Sequence, residues 1–235
     1  TSFACDRLHL LHEAQLDAYP RLKNVPRSIF TEFVAVGQIR PASPEDGPPQ
    51  ERFVFLVGAP WFLKGADLLV DAFRRIQDRF PDWRLRIQGY FDDLPRHTPP
   101  GGFGPGIEVW KAVENQETLR RIRKASILVL PSRCEGTPRV LIEGMASGLP
   151  LIGSRLGGIP ALVRHEENGL LFPPRDPEAL ANALSRLMAD ETLRQRMGEA
   201  GQRIARTELD ESTYARKFLD MIHSTVKGAA GHPPR

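Results

Sequence analysis

Two glutamates separated by seven residues, Glu135 and Glu143, stand in a run that starts at the strand-like Leu130-Pro131 and closes at Gly148. A carboxylate accepts hydrogen bonds from two adjacent hydroxyls at once, which suits the ribose of a nucleotide or the vicinal hydroxyls of a sugar. Thr137 and Pro138 have the residue types that cap and open a helix, so Glu135 is expected in a loop and Glu143 inside a helix. Glu143 sits among Val140, Leu141, Ile142 and Met145. A carboxylate buried there without a partner is costly, so it needs a counter-ion or a wet cleft. An ion pair from Glu143 to Arg133 or Arg139, with Glu135 solvated, fits the same residues.

A second chemical segment is Val57-Gly58-Ala59-Pro60-Trp61-Phe62-Leu63-Lys64-Gly65. It reads as the turn after a buried strand, and a lysine just before the next helix favours phosphate there. A surface lysine beside a helix start has the same look. The third segment, Gly153-Ser154-Arg155-Leu156-Gly157-Gly158-Ile159-Pro160, again passes from a strand end through glycines to a short helix opened by proline. Glycine lets backbone amides approach a ligand, and it also serves plain turn geometry. All three turns follow expected parallel strands and so project from one sheet edge, where open α/β sheets bind ligands.

Two other leads are set aside. Gly101-Gly102-Phe103-Gly104-Pro105-Gly106 follows Thr98-Pro99-Pro100 rather than a strand, and Pro105 blocks the helix a dinucleotide fingerprint requires; a flexible loop is expected. His9 and His12 have metal-ligand spacing but no recognisable third ligand, and fit a solvated helix face.

The elements that must carry these turns can be read from apolar patterning. Residues 41–50 hold four prolines and a glycine and mark a linker. Before it lie a helix-like stretch, Arg7 to Tyr19, and a β-rich run, Ser28 to Val36. After it, short apolar runs alternate with helical ones, the signature of βα units on a parallel sheet. Strands are expected at 53–57, 84–88, 107–109, 126–130 and 149–152, and helices at 67–80, 117–124 and 138–147. Asp176-Pro177 starts a helix, a second follows through Arg206, and a last one runs from Glu211 to Val226.

The bulk properties agree with one soluble domain. The chain has 235 residues, 41% hydrophobic and 26% charged, with a formal net charge of +3 spread among acids. No basic stripe with interleaved aromatics points to nucleic acid. Cys5 and Cys134 are far apart, so neither a disulfide scaffold nor a zinc site is expected, and a reducing cytoplasm fits. No apolar run is long enough to span a membrane. Thr1 in place of an initiator Met is expected of a processed product or a piece of a longer protein.

The residues from about Phe53 to Val226 resemble the C-terminal domain of the retaining GT-B glycosyltransferases known as group 1. The motifs are Val57-Gly58 with Lys64-Gly65-Ala66-Asp67, Leu130-Pro131-Ser132, Glu135-Gly136 with Glu143, Gly157-Gly158-Ile159-Pro160, Asn168-Gly169-Leu170-Leu171 and Glu178-Ala179-Leu180-Ala181, in that order. The resemblance implies an α/β fold, a Rossmann-like parallel sheet flanked by helices that forms one half of a GT-B fold, with a C-terminal crossing helix. It implies a remnant of the preceding domain and linker over 1–50, the nucleotide-sugar domain over 51–210, the crossing helix over 211–228 and a disordered tail over 229–235.

By the same resemblance, Lys64 contacts the donor diphosphate without a metal, Glu135 touches the donor sugar and Glu143 holds the ribose hydroxyls. Lys64 and Glu135 are then the catalytic residues. Gly58, Gly136, Thr137, Arg139, Val140 and Leu141 complete the donor site. No cofactor is implied, since the nucleoside diphosphate sugar is a substrate. The family pattern has an arginine where this chain has Ala59, so Arg133, Arg139 or Arg155 would have to supply a second cation. Ala161 also replaces an acidic residue. The expected partners are the acceptor-binding half of the fold, further copies through exposed apolar faces, and a membrane surface. A sugar-nucleotide epimerase and a non-catalytic nucleotide-binding scaffold are the alternatives.

Overall fold

A computed structural model of the chain describes residues 8–10, 27–29, 34–39, 51–91 and 94–229. Its body is a six-stranded parallel sheet built from β3 (Arg52–Val57), β4 (Trp83–Gly89), β5 (Ile107–Lys111), β6 (Ile127–Leu130), β7 (Leu151–Ser154) and β8 (Gly169–Phe172). The spatial order is β5-β4-β3-β6-β7-β8. Chain order therefore reverses between β3 and β6, and that is the point at which such sheets open a ligand crevice at the carboxyl ends of the strands. A separate parallel pair, β1 (Leu8–Leu10) and β2 (Arg27–Ile29), lies in the lead segment.

β6, β7, β8 and the inner part of β3 are buried on both faces and almost wholly apolar, whereas β4 and β5, towards one edge, alternate in charged residues such as Arg84, Arg86 and Glu108. Over one face lie α1 (Ala66–Arg74) and α6 (Pro177–Ala189), packed with Leu69, Phe73, Leu180 and Leu184 against Val54, Leu56, Leu85 and Ile87. Over the other lie α3 (Asn115–Lys124), α4 (Arg139–Ala146) and α7 (Glu191–Glu208), whose Ile122, Leu141, Ile142, Met145 and Ile204 meet Phe55, Leu128 and Leu130. Val34, Val36 and Ile39 join this second core, and Val34 bridges to Asp210. The part of the lead segment nearest the linker therefore packs with the sheet domain.

Two short helices, α2 (Leu94–His97) and α5 (Ile159–Leu162), and the final helix α8 (Glu211–Ala229) complete the order. The start at Asp176 is as expected. Its carboxylate accepts from the Ala179 amide at 2.9 Å, and Pro177 follows. Asp190 repeats the device for α7, accepting from the Leu193 amide at 2.8 Å.

Several expectations need correction. Leu8–Leu10 is a strand, not the beginning of a helix, which also removes the helical face proposed for His9; residues 11–19, with His12, lie outside the described residues. The run from Ser28 to Val36 is split into β2, the isolated bridge at Val34 and a 3-10 turn from Val36. The helix after β3 ends at Arg74, and Gln77–Arg79 form a separate 3-10 turn. Strand β8 was not foreseen. The segment 101–106 is a loop with left-handed glycines, as expected, but it is anchored: Phe103 packs on Trp61 at 5.2 Å and its carbonyl accepts from Arg74 at 2.6 Å. The last turn of α8 takes in 229, and 230–235 lie outside the described residues.

Candidate functional site

The three turns singled out in the sequence meet at the switch point, and backbone contact holds them there. A β-carbon on Gly65, whose φ is 71°, would lie 2.1 Å from the Pro131 carbonyl oxygen, and the Arg133 amide donates to Leu63 at 2.8 Å. The turn after β3 is thus pressed onto the loop after β6. On its other side, a β-carbon on Gly157 would lie 2.0 Å from the Glu135 carbonyl oxygen, and the Gly158 amide donates to Gly136 at 3.0 Å. These glycines allow loop to touch loop. The Gly158 amide is spent on that contact rather than offered to a ligand.

Lys64 and Glu135 come together across the gap, Nζ to Oε2 at 2.6 Å. Ser132 donates its hydroxyl to the same carboxylate oxygen at 3.1 Å, and Ser154 donates to the Ser132 carbonyl at 2.8 Å. The carboxyl ends of β6 and β7 and the turn after β3 are tied by one polar chain. Gly58 has a part in it that spacing alone did not reveal. With φ 147° and no side chain, it leaves room for the Lys64 methylenes, which a β-carbon there would crowd at 3.2 Å.

Arg133 is not available as a counter-ion for Glu143 or as a spare cation. It makes two bonds to Asp67, at 2.6 and 2.7 Å, donates to the Phe62 carbonyl at 2.6 Å, and lies 4.0 Å from the centre of the Phe62 ring. Asp67, which closes the Lys64-Gly65-Ala66-Asp67 motif, is thus the residue that holds Arg133. Arg139 and Arg155 are exposed and make no ion pair or hydrogen bond through their guanidinium groups among the described residues.

Glu143 is half-buried on α4, and its carboxylate has neither a hydrogen bond nor an ion pair among the described residues. Burial pushes its carboxyl above the usual carboxylate range, and the field of Arg139, one turn earlier, opposes part of that shift. The ion-pair account of Glu143 is thereby excluded. What remains is a carboxylate with open acceptor positions.

Thr137 does not cap α4. Pro138 occupies the cap position, no side chain caps the helix, and the Thr137 hydroxyl is buried without a partner. No protein group accepts from the Gly136 or Thr137 amides among the described residues, nor from the first two amides of α4, those of Arg139 and Val140. Val140 packs partly against the core. Leu141 is fully buried there, and its amide donates to Pro138 at 3.0 Å. It offers nothing to the cleft and drops out of the expected set.

An open parallel sheet with this strand order, and with paired charges, free amides and an unpartnered carboxylate at its switch point, has the architecture of nucleotide-binding α/β domains. The sequence profile described as Glycosyl transferases group 1 matches residues 51–190. The chain belongs to that family. It is 35% identical over 195 residues to an exopolysaccharide phosphotransferase of Streptomyces coelicolor, covering 80% of this chain and 19% of that protein. It is 34% identical over 169 residues to a D-inositol 3-phosphate glycosyltransferase of Corynebacterium glutamicum, covering 68% and 40%.

Among solved structures, HepE of Anabaena, in complex with UDP and glucose, superposes with a TM-score of 0.79 at 18% identity, over 93% of this chain and 63% of that one. The C-terminal domain of a group 1 family protein from Francisella tularensis superposes with a TM-score of 0.64 at 21% identity, over 76% of this chain and 99% of that one. The fold is thus that of a C-terminal GT-B domain, as the sequence motifs implied. The chain spans less than half the length of these two curated relatives. Among the described residues no helix is long and apolar enough to cross a membrane.

Proposed function

We propose that this chain is the donor-binding domain of a retaining glycosyltransferase that takes its sugar from a nucleoside diphosphate. The observation that carries the reading is Glu143: a half-buried carboxylate with no protein partner, on the helix that follows the loop carrying Glu135 of the Lys64–Glu135 pair. Paired ribose hydroxyls would supply the donors it lacks. Lys64 would exchange the Glu135 carboxylate for the diphosphate, while Glu135, its Oε2 still held by Ser132, would offer Oε1 to the sugar hydroxyls. As the bond from the anomeric carbon to the phosphate oxygen breaks, its electron pair passes to the diphosphate, and a preorganised ammonium stabilises that charge. No metal is assigned to this role.

The acceptor would be placed by protein outside the donor domain. In this reading 1–50 carry the end of a preceding lobe and the linker, 51–210 the donor domain, and 211–228 a helix that crosses to the other lobe. Phe218, Leu219 and Ile222 are exposed along α8 and offer that lobe, or another copy of the chain, an apolar surface. The chain alone should therefore transfer no sugar. It should still bind a nucleoside diphosphate, with a Kd on the order of 0.1–1 mM, because one domain supplies only part of the contacts. Calorimetry with UDP, GDP and ADP checks this. Absence of heat with all three at millimolar concentration would remove the donor-site assignment.

A further inference from the structure

Charge accounting at the sheet edge singles out one residue. Of four cations carried by the three turns and by α4, Lys64 is paired with Glu135 and Arg133 is locked by Asp67. Arg139 and Arg155 keep their charge unspent. A diphosphate brings at least two negative charges, so the Lys64–Glu135 pair, neutral in sum, does not balance it.

The setting of Arg139 is also electrostatically odd for a helix. The other five helices of eight or more residues each carry an acid in the first turn: Asp67, Glu117, Glu178, Glu191 and Glu211. That placement complements the positive end of the helix dipole. In α4 the first turn has no acid and begins with Arg139. A cation there opposes the dipole and costs stability unless an anion joins it. The buried, unpartnered Thr137 hydroxyl and the unclaimed Gly136 and Thr137 amides lie beside it.

We infer that Arg139 is the second phosphate-binding cation of this site, holding the donor diphosphate at the N-terminus of α4. The inference rests on the donor-site reading above. It also gives the Arg139–Glu143 spacing a purpose. One turn apart on the same helix, the guanidinium would meet the phosphates and the carboxylate the ribose, and the two would fix the nucleotide along the helix face. The field of Arg139 keeps Glu143 closer to its ionised, acceptor-only form.

The test compares wild type, Arg139→Ala, Arg139→Lys and Arg155→Ala by calorimetry with UDP, inorganic pyrophosphate and uridine, with thermal midpoints as the folding control. The exposed Arg139 side chain has no hydrogen-bond or ion-pair partner among the described residues, so Arg139→Lys and Arg155→Ala should melt with the wild type and Arg139→Ala at the same temperature or slightly above it, the dipole conflict being relieved. Arg139→Ala should weaken UDP and pyrophosphate about tenfold and leave uridine unchanged. Arg139→Lys should recover part of the loss, and Arg155→Ala should change little. Equal UDP affinity in wild type and Arg139→Ala, or a loss confined to Arg155→Ala, would overturn the inference and leave the donor site standing. If wild type binds neither UDP nor pyrophosphate, the donor-site reading falls and takes this one with it.

Discussion

Glu143→Gln is expected to weaken nucleoside diphosphate binding about 10–100-fold, the loss of a hydrogen-bonded charged acceptor, while the thermal midpoint at neutral pH holds or rises. The two effects have one cause. Burial raises the Glu143 carboxyl above its ordinary value of 4.5, so the native state binds that proton more tightly than the unfolded chain does. Stability from this group is therefore greatest at low pH and declines as pH rises through the ordinary value and then the raised one. At neutral pH the fold carries an ionised, half-buried, unpartnered carboxylate, and glutamine relieves it of that charge. A midpoint that fell in the variant, with affinity unchanged, would return Glu143 to a structural role. Calorimetry and thermal unfolding between pH 4 and about 8 provide both readings.

Lys64→Ala should abolish saturable binding of nucleoside diphosphates at millimolar concentration, since losing a charge-assisted contact is worth about 10–100-fold on an affinity already weak. Stability should fall as well, by about 1–3 kcal/mol, because Glu135 keeps only the Ser132 hydroxyl in a largely buried position. Adding Glu135→Gln removes the orphaned charge. The double variant should regain much of the thermal stability and none of the binding. Recovery of both would mean that the pair only braces the loops; recovery of neither would mean that Lys64 acts through its stem over Gly58.

The sequence made the sheet readable where burial is written as runs of apolar residues. β3 to β7 fell within a few residues of their expected limits, and Asp176-Pro177 marked α6 because a cap and a proline are local signals. β8 escaped because Gly169–Phe172 is too short a run to separate from a loop, and its partner strand β7 is remote from local patterning. Leu8–Leu10 reads as helix in the sequence because a strand of three residues has too few positions to set a period.

At the site, Lys64, Glu135 and Glu143 stood out by residue type and spacing, but their partners did not. Lys64 meets Glu135 across 71 residues and Arg133 meets Asp67 across 66, distances over which no periodicity operates. Thr137 looked like a cap because its type is right. Only the backbone path through Pro138, which takes the cap position, leaves its hydroxyl unused.

The central claim, that the carboxyl edge of the sheet at the β3–β6 switch point receives a nucleoside diphosphate, is tested most directly by titrating UDP or GDP into the isotope-labelled chain and following backbone amide shifts. The largest changes should fall on Gly58, Lys64, Gly136, Thr137 and the first turns of α4 through Glu143, with α8 and β1–β2 unmoved. Shifts confined to α8 or the lead segment, or none at millimolar nucleotide, would contradict it.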